Sequence, residues 1–301
     1  MQFERCYYYL TYRCNSRCGY CDIWKAHHLV GREQGIETIS TNLRALKGLG
    51  VRYVDFTGGE IFLRDDLPEI LSAAKEMGFP IIVTTNGLAY ERHAEALTGI
   101  ADFINFSIDT LDEKRYESRR GINGLSTAIR ALGRAMGLEQ NCGIIATIDS
   151  ENQDEIDDLV SLCRKLGIKL SLNPIFSYNE ISGTPGRRTL DKLYDLAGSD
   201  DVYVNAAQIE FIALGGNSIL KPRCSAMSRN IVISPDNHLI APCFHYQTEK
   251  IRIEGSLAQI LKSDNVSRLR ANEGKFPFCE RCTINCYMDT ANLRIEELAA
   301  T

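Results

Sequence analysis

The sequence predicts an α/β fold: a parallel sheet with helices outside it, then a smaller module. Three observations carry this. Six short and nearly continuous apolar runs alternate with helix-like segments over roughly the first 180 residues. Glycines and other turn residues separate the segments. Polar residues collect where the apolar runs end, the edge that holds the active site in barrel-like α/β folds.

The elements follow in order. "CYYYLTY" is a β-rich run that leads into a loop of cysteines, and "VRYVDFTGGE" (51–60) reads as a strand ending in a glycine turn. "LPEILSAAKEMG" (67–78) has helical spacing and a glycine stop. "PIIVTTNG" (80–87) is a strand and "ERHAEALTG" (91–99) a helix. "DFINFSID" (102–109) and "CGIIATID" (142–149) are strands, with the helix "LSTAIRALGRAMG" (125–137) between them. "NQDEIDDLVSLCRKLG" (152–167) is a helix and "IKLSLNPI" (168–175) the sixth strand. The polar strand ends are Thr57 to Glu60, Thr85 to Gly87, Ser107 with Asp109, and Asn173.

The rhythm breaks after residue 176. "SYNEISGTPGRR" is a loop rich in turn residues, and a helical stretch follows over roughly 187–214. "NIVIS" and "HLIAP" flank a Pro-Asp-Asn turn and read as a hairpin, with a helix expected near 256–271. The expected division is 1–180 and 181–301.

The chain has 301 residues, 44% of them hydrophobic, 24% charged, and a net charge of −5. This charge balance gives no basic groove, so nucleic acid is not an expected partner. No apolar run reaches spanning length, so no membrane is expected either. The N-terminus lacks the basic-then-apolar layout of a secretion signal, which points to the cytoplasm, where thiols stay reduced. Eleven cysteines, an odd number clustered towards the two ends, then read as ligands and not as a disulfide framework. Cys6, Cys142 and Cys163 lie in apolar patterns and read as buried thiols. Met77, Met136 and Tyr7 to Tyr9 read as core or barrel-wall residues.

"TYRCNSRCGYCDIW" (11–24) holds Cys14, Cys18 and Cys21. A disulfide uses cysteines in pairs and a structural zinc site takes four ligands. Three thiolates in one tight loop suit a group that takes three sulfurs and leaves one position open, such as a 4Fe–4S cube with one free iron. A zinc site completed by His27 or His28 is the alternative.

CxxxCxxC at the end of a first strand, with the aromatic Tyr20 before the last cysteine, resembles the radical S-adenosylmethionine (SAM) superfamily. The resemblance implies a partial (β/α)6 TIM-like barrel. It implies SAM chelated to the fourth iron of a 4Fe–4S cluster, with reductive cleavage to a 5′-deoxyadenosyl radical that abstracts hydrogen from a substrate. It implies a flavodoxin- or ferredoxin-type electron donor. It further implies that Gly58, Gly59 and Glu60 form the motif that meets the SAM amino group. Two glycines permit close approach, and a carboxylate accepts hydrogen bonds from an ammonium. By the same resemblance Asn86 matches the third-strand signature, and Ser107 and Asp109 meet the SAM ribose and carboxylate. Those two alternate to the same side of their strand. Tyr20 would touch the adenine, and Arg120 or Arg119 would pair with the SAM carboxylate.

Cys224 and Cys243 bracket the hairpin, and Cys279 and Cys282 form a CxxC. A zinc ribbon is one reading, since thiolate sets suit zinc and iron–sulfur alike. By resemblance to the twitch and SPASM extensions of radical SAM enzymes, the segment is a small C-terminal β-hairpin plus helix domain that binds one auxiliary 4Fe–4S cluster. Cys286 is surplus or replaces one of the CxxC pair. A closed auxiliary cluster would accept an electron from a substrate radical and give net oxidation. Cys14 comes almost at once, so no separate peptide-binding domain is expected before the barrel. That favours small-molecule biosynthesis over a peptide substrate. The opposing class is a non-catalytic iron–sulfur carrier or binding module.

Overall fold

Seven strands lie side by side in sequence order in the computed structural model, which describes residues 3–29, 31–176 and 185–284. They are β1 (Arg5–Thr11), β2 (Tyr53–Gly58), β3 (Ile82–Thr85), β4 (Phe103–Ser107), β5 (Cys142–Ile148), β6 (Lys169–Pro174) and the two-residue β7 (Val202–Tyr203). Every neighbouring pair among them is parallel, as βαβ crossovers require. Arg5 of β1 and Tyr203 of β7 line one interior cavity, so the sheet curls into an open barrel.

The helices α1 (Ile36–Gly48), α2 (Leu67–Glu76), α3 (Glu113–Arg120), α4 (Leu125–Gly137) and α5 (Ile156–Leu166) fill the crossovers. Each of α1, α2, α4 and α5 buries one apolar stripe, for example Leu125, Ala128, Ala131, Leu132 and Ala135 in α4. These stripes pack on the outward side chains of the strands: Cys6, Tyr8, Val54, Phe56, Val83, Ile104, Ile144 and Leu170 share one core with them. Cys142 and Cys163 are buried in the same core, and Met77 and Met136 pack against it, as their patterns indicate.

Five local expectations change. Residues 91–99 fold as a short 3-10 turn (Tyr90–Arg92) and irregular turns, because the stretch from Gly87 to Gly99 is too short to sustain a helix on its own. α3 is a helix without an apolar stripe, which periodicity cannot reveal; Asp112 caps it by accepting from the Arg115 amide at 2.8 Å, and Gly121 ends it with φ 63°. The stretch 187–214 divides into α6 (Arg187–Leu196), β7 and α7 (Ala206–Ala213). The helix near 256–271 breaks at Ser263 into α8 (Leu257–Lys262) and α9 (Asp264–Ala271), Ser263 capping the second through the Val266 amide. A further strand, β10 (Gln247–Arg252), follows the hairpin.

The hairpin strands β8 (Asn230–Ile233) and β9 (His238–Pro242) do not stand apart from the barrel. β8 pairs in parallel with β1, so the barrel strands and the hairpin form one ten-stranded sheet, β10-β9-β8-β1-β2-β3-β4-β5-β6-β7. A buried polar cluster pins the hairpin turn to the barrel. Asn42 of α1 donates to Asn237 Oδ1 at 2.9 Å and to Gln34 Oε1 at 3.0 Å, and Gln34 donates to the Ser234 carbonyl at 2.8 Å. Tyr8 completes it by donating to Gln34 Oε1 at 2.7 Å. Asn42→Ala leaves buried acceptors unpaired and is expected to lower the unfolding free energy by about 1–3 kcal/mol. Urea denaturation of the variant against wild type measures this; no change would mean that strand pairing alone holds the hairpin.

Candidate functional site

The cysteine loop leaves β1 at its C-terminal end, and two elements grip it through main-chain hydrogen bonds. From the β2 side, the Gly59 amide donates to the Thr11 carbonyl at 2.9 Å and the Glu60 amide to the Arg13 carbonyl at 2.7 Å. The glycines are there for this approach. Gly58 has φ 146°, and a Cβ on Gly59 would stand 2.1 Å from the Arg13 oxygen. From the other side, the end of α3 receives the loop: the Arg17 amide donates to the Arg120 carbonyl at 2.8 Å and the Gly19 amide to the Arg119 carbonyl at 3.1 Å.

Held this way, Cys14, Cys18 and Cys21 line one cavity of about 200 Å³ with Tyr20, Gly58, Gly59, Glu60, Asn86, Ser107 and Arg120. Burial pushes the Cys14 thiol up to about 11 and the Cys21 thiol up to about 12, and the neighbouring cysteines add to the effect. A cationic centre among these sulfurs reverses that preference and favours thiolates. The Ser16 amide already points at Cys14 Sγ, 3.4 Å away. Among the described residues no group of three or more His, Cys, Asp or Glu side chains forms a site for a single metal ion. Three cysteines on one cavity wall are the donor set that a three-thiolate cluster takes. The side chains of His27 and His28 lie outside the described residues.

Glu60 is buried, and its carboxylate is already engaged. Oε1 accepts from the Phe62 amide at 3.1 Å and from the Thr85 hydroxyl at 3.0 Å, and Oε2 accepts from the Asn86 amide at 2.7 Å. Burial pushes its carboxyl up to about 7 against the pull of these donors. A carboxylate has about four lone-pair sites, so one acceptor position remains for a ligand. Asn86 turns its amide onto the cysteine loop, donating to Asn15 Oδ1 at 2.7 Å and Ser16 Oγ at 3.0 Å. Asn15 and Ser16 carry no motif of their own, and the sequence offered no signal for them.

Ser107 lines the cavity, but Asp109 does not stand beside it. β4 ends at Ser107, strand alternation stops there, and Asp109 is fully enclosed. Its carboxylate accepts from the Tyr20 hydroxyl at 2.6 Å and the Thr147 amide at 2.8 Å, and pairs with Arg120 at 2.8 Å. Asp109 thus holds two cavity residues in place instead of facing the mouth. The Arg119 and Arg120 guanidiniums flank the Tyr20 ring at 5.5 and 5.8 Å. Arg119 pairs with Asp149 at 2.9 Å and does not line the cavity.

Cys224, Cys243, Cys279 and Cys282 form a second group: after burial in each case, Cys243 and Cys282 raise Cys224, and Cys279 raises Cys243 and Cys282. Burial, and then neighbouring charge including Cys282 and Cys279, pushes the Cys243 thiol up to about 12. The Tyr246 amide donates to Cys243 Sγ at 3.4 Å. The organiser is Asn217, which sequence reading missed because it lies in an irregular stretch. Its amide donates to the Cys282 carbonyl at 2.9 Å and its side chain to the Cys279 carbonyl at 3.0 Å. Phe244, next to Cys243, stacks on Tyr9 of β1 with ring centroids 3.7 Å apart, which fastens this group to the barrel's inner face. Cys286 lies outside the described residues.

The curled parallel sheet brings three cysteines, a Gly-Gly-Glu turn and an enclosed Asp–Arg–Tyr network to its C-terminal edge, and the fold is that of a radical SAM enzyme. Residues 8–163 match the Radical SAM superfamily, and the chain belongs to that family as one of its enzymes. Family members bind a 4Fe–4S cluster and SAM. The chain is 27% identical over 290 residues to a probable GTP 3′,8-cyclase of Archaeoglobus fulgidus, covering 89% of this chain and 94% of that protein. It is 33% identical over 161 residues to the GTP 3′,8-cyclase of Chlorobaculum tepidum, covering 52% and 48%. In fold it resembles Streptococcus suis SuiB bound to precursor peptide SuiA, with TM-score 0.67, 20% identity, and coverage of 88% of this chain and 66% of SuiB. It also resembles anSMEcpe with bound AdoMet, with TM-score 0.66, 15% identity, and coverage of 89% and 82%. At these identities the two structures speak for the fold alone.

Gly59→Ala drives a methyl into the Arg13 carbonyl and must displace the cysteine loop. The expected outcome is a folded barrel by circular dichroism that has lost most of its iron after anaerobic reconstitution. Iron content equal to wild type would show that the loop tolerates the shift.

Proposed function

We propose that the protein oxidises a small polar substrate by hydrogen abstraction, with a second 4Fe–4S cluster held by Cys224, Cys243, Cys279 and Cys282 as electron acceptor. The observation that carries this reading is the pair of cysteine groups on one barrel. The first lines the cavity at the strand ends, and the second is joined to the barrel's inner face through Tyr9 and Phe244.

When bound, the first cluster and SAM supply a 5′-deoxyadenosyl radical that takes a hydrogen atom from the substrate. The chain's own residues position the cofactor. Glu60 keeps one acceptor site for the SAM ammonium. Arg120 lines the cavity, and its Nε has no acceptor among the described residues, which suits the SAM carboxylate. Tyr20, clamped by Asp109 and two guanidiniums, offers a ring for the adenine, and Ser107 a hydroxyl for the ribose. Gly58 and Gly59 serve the cysteine loop's backbone in addition to any role toward the ligand. Cys224, Cys243, Cys279 and Cys282 would hold the second cluster, which would supply a one-electron acceptor; with the hydrogen atom and one proton lost, the substrate would undergo a two-electron dehydrogenation. A flavodoxin or ferredoxin is the matching donor for the first cluster. Ten free cysteines among the described residues suit a reducing compartment such as the cytoplasm. No helix among the described residues is long and apolar enough to cross a membrane.

The names of the relatives raise GTP as a substrate. The two cavities described carry few cations for a triphosphate. Arg5 and Arg120 are the basic residues lining the two cavities described, and Asp55 and Glu60 oppose them.

Cys14→Ala removes one of three iron ligands. It is expected to abolish reductive SAM cleavage, measured as 5′-deoxyadenosine after dithionite reduction, while the barrel stays folded. Activity near wild type after reconstitution would sink the assignment of this loop. A variant with Cys14, Cys18 and Cys21 all changed to Ala should keep an iron–sulfur chromophore and roughly half the iron, one cube of two. Bound zinc and no iron in that variant would make the second group a structural module.

A further inference from the structure

The barrel strands alternate in a way their apolar composition conceals. Outward side chains are apolar and packed under the helices. Inward ones include Arg5, Asp55, Thr84, Asn105, Ser171 and Asn173, and these line a cavity of about 190 Å³ inside the barrel. A packed barrel interior is filled by branched apolar side chains in layers. This one is open and mixed, with polar groups set among Tyr53, Ile82, Ile145 and Tyr203.

Two groups in the cavity wall lack partners. Asn105 is 6% exposed, and among the described residues its Oδ1 accepts no hydrogen bond. Asp55 lies in the middle of β2, yet its side chain is accessible, because its free surface is the cavity. Among the described residues its carboxylate has no hydrogen-bond donor and no ion pair; burial raises its pKa and the charge of Arg5 opposes the rise. A carboxylate aimed into a cavity with no hydrogen-bond donor of its own, and only the charge of Arg5 nearby, is characteristic of functional sites. The cavity adjoins the cofactor site across one residue. Thr84 lines both spaces, and Asn105 is its register partner on β4.

We propose that this lumen is the substrate chamber and that it takes a small polar molecule bearing a cationic nitrogen, an amine or guanidinium, whose N–H groups meet Asp55 and Asn105. The inference rests on the radical SAM reading above and adds the substrate's chemical class. A nucleoside triphosphate belongs to the opposite class. Polyphosphates are held by several arginines or lysines with metal ions, whereas of the two basic residues here Arg120 is already paired with Asp109.

The test uses the reconstituted full chain with SAM and four probes: methylguanidinium and agmatine as cations, inorganic triphosphate and GTP as anions. Binding is followed by saturation-transfer NMR and titration. Methylguanidinium and agmatine are expected to bind. Asp55→Asn should weaken both by roughly tenfold or more, the loss of one charge-assisted contact. Asn105→Asp, which adds a carboxylate to the same wall, should tighten them. Neither anion should displace methylguanidinium. The melting midpoint of Asp55→Asn should stay near that of wild type, since Asp55 is accessible and makes no hydrogen bond or ion pair among the described residues. Cation binding insensitive to both substitutions, or displacement by GTP or triphosphate, overturns the proposal. Wild-type SAM cleavage measured in parallel separates the two readings. Its absence counts against the enzyme assignment, whereas its presence beside failed cation binding counts against the chamber's chemistry alone.

Discussion

The site depends on a main-chain clamp. A loop carrying three cysteines has no regular structure of its own, so its backbone groups must find partners elsewhere. Here the β2 turn takes the loop's carbonyls at Thr11 and Arg13, and the end of α3 takes its amides at Arg17 and Gly19. Both contacts need glycine. Gly59 lets the β2 turn lie against Arg13, and Gly121, with φ 63°, ends α3 where a Cβ would stand 2.6 Å from the Arg17 oxygen. The three thiols then line one cavity because the backbone between them is fixed.

The polar residues around the clamp act mostly on one another. Glu60 binds the turn after β3, Asn86 binds Asn15 and Ser16, and Asp109 binds Tyr20 and Arg120. Each spans a different pair of elements. Charged groups so enclosed are stable only when their partners are complete, which makes the network a rigid support for whatever it presents to the cavity. Preorganisation of this kind lets a reactive cofactor be held in one geometry away from water.

The barrel interior follows a different rule. Its outer wall is a close-packed apolar core, while its inner wall leaves Asp55 and Asn105 without partners among the described residues. The fold is stabilised from outside, under the helices, so the lumen is free to carry polar groups that a packed interior would reject. The hairpin joins through β8 and β1, and Phe244 stacking on Tyr9 brings the second cysteine group to the inner face.

The sequence by itself determined the strand and helix alternation, the cysteine loop, the Gly-Gly-Glu turn and the hairpin. Each is a local pattern of hydrophobic period or turn chemistry, written in neighbouring residues. It did not reveal α1, in the stretch between the cysteine loop and residue 51, or α3, whose only buried apolar side chain is Tyr116, or Asn217, which organises the second cysteine group from an irregular stretch. Nor did it reveal the division of labour between Ser107 and Asp109, because alternation holds only inside a strand and β4 stops between them. Tertiary structure alone decided which wall of each strand faces the lumen, and that Asp55 stands there with the charge of Arg5 near it and no hydrogen-bond donor among the described residues. Those outcomes are set by which side of the curled sheet the helices cover, and that is a matter of contacts between residues far apart in the chain.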